Sequence, residues 1–294
     1  MKLKNTFHPF AATTILLWSL AFPLTKLALQ SFTPFSLGFL RYAAASAVLL
    51  VLCLIKKLPL PKKKDLPWFL LAGAMGFFLY MIAFNIGIAT ITSATSSVIL
   101  AGVPVFTALL AVLFFREKLR GPQWLAIGVE FGGILILTMA QGAFTANAGA
   151  LWTLLAAFLV CGYNLLQRRL TRTYSALQTT AYSMFAGTLL LAVFAPQAVA
   201  EAAQAPPSAL LWVSIMGVLP SAIAYIAWAR AFALAPRTSY VTNYMFFTPF
   251  LAGLLGFLFA REVPDLWTWI GGSIILLGAL IFNRAGHRRE SVDS

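Results

Sequence analysis

The chain has 294 residues, 61% of them hydrophobic and only 10% charged, with a net charge of +13 and mean hydropathy +0.87. A soluble domain of this length carries about a quarter charged residues, so a water-soluble globule is excluded and the membrane class is indicated. Cys53 and Cys161 fall in apolar runs and His8 and His287 lie near the termini, which argues against a disulfide framework and against a His-based metal or catalytic cluster inside the membrane.

A spanning helix needs about 20 mostly apolar residues. In chain order, ten such runs are expected: 10–30, 35–55, 67–88, 94–115, 121–140, 149–167, 176–195, 208–232, 238–260 and 265–283. The connections are short, the longest being 56–65 and the loop expected at 196–207. The opening Met1-Lys2-Leu3-Lys4 precedes an apolar run, as in a signal peptide. That run is long and no A-x-A-like site follows it, so an uncleaved first span is expected.

With the N-terminus in the cytoplasm, the cytoplasmic segments hold Lys2, Lys4, Lys56, Lys57, Lys62, Lys63, Lys64, Arg116, Lys118, Arg120, Arg168, Arg169, Arg172, Arg237, Arg284, Arg288 and Arg289. The outer loops hold Arg261 alone, and Lys26, Arg41 and Arg230 lie within spans. This bias orients the chain with both termini cytoplasmic. It also accounts for the basic balance without a nucleic-acid partner.

The chain writes one pattern twice. Trp68 aligns with Trp212, Pro104 with Pro249, Arg116-Glu117 with Arg261-Glu262, Trp124 with Trp269 and Gly133 with Gly278. The offset is 144, changing to 145 before the prolines, and residues 17–29 face 159–171, which sets Lys26 opposite Arg168. Spans 1–5 therefore repeat as spans 6–10. Because five is odd, the second copy enters from the other side of the membrane. Such an inverted repeat is a transporter design: two similar mouths, one on each face, with a site between them. The fold expected is all-α and integral to the membrane, ten transmembrane helices as two inverted five-helix repeats around a central cavity. The repeats are 1–145 and 146–294, the second ending in a short basic tail.

Taken together, "LWSLAFPLTK" in span 1, "LRY" early in span 2, and P-x11-RE followed by Trp and Gly in both halves resemble the drug/metabolite transporter superfamily, EamA-type. The resemblance covers nearly the whole chain. It implies a small-metabolite permease, often an exporter of amino acids or related compounds. It also implies spans 1–4 and 6–9 around the cavity, with spans 5 and 10 peripheral.

Ionisable residues inside a membrane are expensive and are functional candidates by default. Lys26 and Arg230 lie near span ends, where long cationic side chains reach the interface. Arg41 lies roughly 9 Å below the outer boundary at 1.5 Å per residue. Its repeat counterpart is about Tyr182, so this charge breaks the symmetry; it either holds a substrate carboxylate or pairs with a structural partner. Glu130, near the midplane of span 5, is a proton-coupling candidate or, alternatively, a neutral group in a helix contact among close-packing glycines. Aromatic and amide residues at mid-span supply the other substrate-binding candidates: Trp18, Phe22, Tyr80, Asn85, Tyr163, Asn164, Tyr225, Trp228, Asn243 and Tyr244. Such groups grip a modest organic solute by apolar contact and a few hydrogen bonds. Pro23, Pro104, Pro220 and Pro249 are hinge candidates or sites of static curvature. The two Arg-Glu pairs read as local ion pairs at headgroup level, or as gate contacts.

The expected function is a cytoplasmic (inner) membrane permease that moves a small polar or amphipathic, amino-acid-like metabolite by alternating access, outward, with proton exchange open. The runner-up is exchange of phosphorylated metabolites or nucleotide sugars, which asks for two or more cations near the midplane. An intramembrane enzyme is disfavoured, since no Asp or His lies deep in a span. A lipid-facing structural or signalling protein is the third class, and it predicts no polar cavity. No metal or cofactor is expected, and the partners are the bilayer and a small-molecule substrate.

Overall fold

The computed structural model describes residues 6–103, 106, 110, 121–140, 148–235, 241–264 and 266–287. Among them the regular structure is helical throughout: α1 (His8–Ala28), α2 (Pro34–Ile55), α3 (Lys63–Thr90), α4 (Ser93–Ala101), α5 (Gly121–Ala140), α6 (Ala148–Leu170), α7 (Ala176–Gln204), α8 (Pro207–Leu234), α9 (Thr248–Ala260, after a 3-10 turn at Asn243–Phe247) and α10 (Leu266–His287). Six of these, α1, α2, α3, α6, α7 and α8, are long and apolar enough to cross a membrane. The expected span 121–140 coincides with the 20-residue α5. Those at 94–115, 238–260 and 265–283 are only partly covered by described residues.

Local chemistry sets the helix ends. Thr33 caps α2 by accepting from Ser36 N, with Pro34 in the first turn, where its missing N–H costs nothing. Ser175 and Gln178 form a reciprocal capping box at the start of α7. The expected loop at 196–207 is corrected: Ala195–Gln204 is helical and continues α7. Its Ala, Glu and Gln are strong helix formers and Pro196 stands in the first turn, so the helix runs on to Pro206-Pro207.

Two helices are locally unwound. α3 contains a π turn at Ala74–Leu79, and α8 contains one at Gly217–Ile223. In α8 the turn surrounds Pro220, which cannot donate to the carbonyl four residues back; wider i→i+5 bonding steps over the gap. Side chains of neighbouring helices then bond to carbonyls in and after the turn. Trp18 Nε1 donates to Pro220 O, Thr14 Oγ1 to Ala224 O and Thr180 Oγ1 to Tyr225 O.

Packing interleaves the two halves of the chain. α1 lies against α8 and α9, α6 against α3 and α4, α2 against α7 and α8, α3 against α7, and α5 against α10. Small residues permit the closest crossings. A Cβ on Gly73 of α3 would stand 2.7 Å from the backbone of Gly187 in α7, and one on Gly217 of α8 would stand 2.6 Å from Ala44 Cβ in α2. Large apolar side chains such as Phe250, Leu254, Phe257 and Leu258 on α9 and Trp269 and Leu277 on α10 face outward. Such surface is a liability in water but suits lipid.

Candidate functional site

The site forms where α1, α2, α3 and α8 approach one another. Trp18, Ala21, Phe22, Arg41, Tyr80, Phe84, Leu100, Val160, Tyr225, Met245 and Thr248 line a central cavity. Water centres sweep about 40 Å³ there, room for roughly three waters.

The π turn of α8 organises the polar part of this wall. Besides holding Trp18 through Pro220 O at 3.1 Å, it presents Ser221, which accepts a 2.7 Å hydrogen bond from Arg41 Nε. Arg41 is 4% exposed and Ser221 is fully buried. The Tyr42 ring centre lies 5.8 Å from the Arg41 guanidinium carbon. Opposite stand rings: Phe22 edge-on to Phe84 at 5.4 Å, and Phe84 stacked on Tyr80 at 5.7 Å.

On the side of the α6–α7 connection the cavity is floored by aromatic packing. Trp18 packs on Tyr225 and Trp228 at 5.1 and 4.9 Å, and Phe77 touches Tyr42, Tyr163 and Tyr225. At the opposite end, Lys26 Nζ of α1 lies 2.6 Å from a Glu262 carboxylate oxygen, and the other oxygen accepts from Ser93 N at the start of α4, at 2.9 Å. The expected local pairing of Arg261 with Glu262 is thus corrected. Arg261 takes a left-handed conformation, φ 52°, that turns the chain so that Glu262 reaches across to α1.

Of the residues singled out from sequence, Trp18, Phe22, Arg41, Tyr80 and Tyr225 share the cavity wall. Trp228 and Asn164 stand behind it, joined by a 3.1 Å bond from Trp228 Nε1 to Asn164 Oδ1, and Tyr163 is buried beside them. Asn85 lies elsewhere: its Nδ2 donates to Pro34 O at 2.8 Å and ties α3 to the start of α2. Tyr244 also lies apart, its hydroxyl 2.6 Å from His8 Nδ1. Asn243 opens the 3-10 turn before α9, and its side chain lies outside the described residues, as does Pro104. Pro23 is buried within α1, while Pro249 sits in the first turn of α9, at the passage from 3-10 to α geometry. Glu130 lies between α5 and α10, away from the cavity, with its Cγ 2.6 Å from where a Gly278 Cβ would be. Arg230 is exposed at the end of α8.

Sequence reasoning missed Phe84, Met245, Thr248 and Ser221. Phe84 had a signal, being one turn beyond Tyr80. Ser221 had none, because a serine beside a proline carries no mark of the guanidinium it will meet.

The EamA-like transporter family matches the chain twice, over residues 7–139 and 147–284. The uncharacterized transporter YdfC of Bacillus subtilis is 33% identical, over 90% of this chain and 87% of that protein. A probable terminal-alkyne amino-acid exporter of Streptantibioticus cattleyicolor is 31% identical, over 95% and 94%. The pseudopaline exporter CntI of Pseudomonas aeruginosa is 25% identical, over 83% and 84%. A crystal structure 21% identical in sequence superposes with a TM-score of 0.63 over 94% of this chain and 96% of that one, which shows the shared fold. Apolar helices, a central cavity and a family pattern present in both halves lead to one assignment: this chain is a multi-pass membrane protein belonging to the EamA-like transporter family.

Proposed function

We propose that the chain is a cytoplasmic-membrane carrier that exports a small amphipathic, amino-acid-like metabolite by alternating access, built from two inverted five-helix repeats with both termini in the cytoplasm. The observation that carries this reading is the cavity between the halves. Its walls include repeat-related pairs: the sequence alignment sets Trp18 opposite Val160 and Leu100 opposite Met245, and all four line it. The helix contacts repeat in the same way, α1 on α8 answering α6 on α3, and α2 on α8 answering α7 on α3. A site on such an axis is reached equally from either face once the halves rock.

In the proposed orientation Lys26, Glu262 and Ser93 close the outer end, and the Trp18–Tyr225–Tyr163 aromatic packing closes the inner one. The relatives named as exporters of an amino acid and of pseudopaline support the outward direction, and the first of them supports an amino-acid-like substrate.

Counterflow in liposomes tests the reading. The purified chain, loaded with an unlabelled amino-acid panel, should accelerate uptake of a labelled member, and the uptake should saturate. Uptake that ignores the internal solute would rule out a carrier.

A further inference from the structure

Arg41 is a buried cation without a protein counter-charge among the described residues. All four described acids lie elsewhere: Asp65 accepts from Tyr174 Oη, Glu201 accepts from Thr33 N and Oγ1, Glu262 pairs with Lys26, and Glu130 is packed between α5 and α10. The chain's other four acids lie outside the described residues. Of the five N–H donors of Arg41, the Nε–H goes to Ser221 Oγ. That bond fixes the plane of the guanidinium and leaves the two terminal nitrogens, the fork that matches a carboxylate. The side chain lines the cavity, so this fork borders the space a solute enters.

A cation already stripped of water by folding attracts an anion at short range with little screening, and that attraction is set only against the anion's own desolvation. The rest of the lining fixes the remainder of the ligand. Trp18, Phe22, Phe84, Leu100, Val160 and Met245 offer rings and aliphatic surface. Arg41 is the single charged side chain on the described wall. One guanidinium balances one negative charge, which suits a carboxylate better than a phosphate dianion.

We propose that this cavity is a receptor for a monocarboxylate with an apolar or aromatic body, that Arg41 binds the carboxylate, and that Ser221 is the residue positioning Arg41. The assignment rests on the carrier reading above and deepens it. Fixing the charged end on one wall also orients the solute, apolar body toward the aromatic wall.

Binding separates this proposal from the question of transport. Thermal stabilisation and titration of the full chain in detergent micelles would use 3-phenylpropionate, its neutral isostere 3-phenylpropionamide, and phenyl phosphate. The carboxylate should bind wild type about tenfold or more tightly than the amide, the effect of one charged hydrogen-bonded contact. Arg41→Gln should erase that ratio while the amide affinity stays. Ser221→Ala should reduce the ratio about threefold to tenfold, with Ser221→Thr restoring it, which a merely structural serine would not do. Equal affinity for carboxylate and amide in wild type overturns the proposal even if no variant folds, and so does tighter binding of the phosphate. Carboxylate preference without counterflow in liposomes would uphold the receptor and defeat the carrier.

Discussion

α3 and α8 carry the same backbone device and fill it differently. The repeat offset of 144 sets the π turn Ala74–Leu79 against Gly217–Ile223, Gly73 against Gly217 and Phe77 against Ser221. In α3 the position is a plug: Phe77 is fully buried among Tyr42, Tyr163 and Tyr225. In α8 it is a hydroxyl holding Arg41. The partner positions diverge as well, since Tyr182, near the position opposite Arg41 in the repeat, donates to Pro59 O and packs on Phe69. In the proposed carrier a symmetric scaffold would supply two mouths, but a solute with a charged end and an apolar end would need unlike walls. The difference between the turns is where that polarity enters.

The largest effect should fall on the plug. Phe77→Ala removes a ring packed against three tyrosines and should cost about 3–5 kcal/mol of stability. Ser221→Ala should cost less, about 1.5–3 kcal/mol, the worth of one hydrogen bond to a charged group, and should lower carboxylate binding as well. Denaturation in mixed micelles measures both. Losses of equal size would mean that the two turns play the same part.

Next come the glycines that the turns share. Gly73→Ala places a Cβ 2.7 Å from Gly187 N and Ser183 O, and Gly217→Ala places one 2.6 Å from Ala44 Cβ and 3.0 Å from Arg41 O. Each should cost about 1–3 kcal/mol, because helices rather than flexible side chains must move. Only the second displaces the helix that bears Arg41, so only it should lower carboxylate affinity, read by the same titration. A loss of affinity in Gly73→Ala as well would break the contrast.

Much of the wall was legible in the sequence and much of its mechanics was not. Trp18, Phe22, Arg41, Tyr80 and Tyr225 stand out because a polar or aromatic group deep in an apolar run has few reasons to be there. Asn85 and Tyr244 meet the same criterion and serve elsewhere, Asn85 on a carbonyl at the start of α2 and Tyr244 on His8. Depth along a helix is readable; azimuth, the direction a side chain takes around the axis, depends on neighbours. The π turns escaped for a related reason. Pro220 announces a broken bond in α8, but no proline marks Ala74–Leu79 in α3. The helix at Ala195–Gln204 was hidden by its own prolines, which read as breakers but stand at a first turn and just past the end.

A smaller and opposite effect belongs to Glu130, whose repeat counterpart is about Ile275. Its carboxylate oxygens are buried and find no hydrogen-bond partner among the described residues. An unmet buried polar group costs about 1–3 kcal/mol. Glu130→Met, similar in volume, should therefore raise stability by about 1 kcal/mol and leave counterflow and its response to a pH gradient unchanged. Loss of a pH response in that variant would return Glu130 to the coupling role.

The smallest effect should come from the ion pair that joins the halves. Glu262 touches both Lys26 and Ser93 N because Arg261 adopts a left-handed conformation, and because Gly256 leaves room, a Cβ there lying 3.1 Å from Glu262 Oε2. The left-handed turn costs about 1 kcal/mol for a residue other than glycine, so it persists only if the contact offsets it. With 25% of the Lys26 side chain and 13% of the Glu262 side chain exposed, solvent screens the pair, and its worth is about 0.5–1 kcal/mol. Glu262→Gln preserves an acceptor for Ser93 N and removes only the charge. In a carrier, that loss should shift the closed end toward opening by about twofold to fivefold, seen as faster labelling of a cysteine at position 22 from that side. Lys26→Met, which removes the other charge, should speed labelling to a similar extent, and high salt should shrink the differences between all three proteins. Labelling that is the same in wild type and Glu262→Gln would show that the two halves are held at this end by packing alone, leaving the aromatic floor as the one closure with a chemical identity.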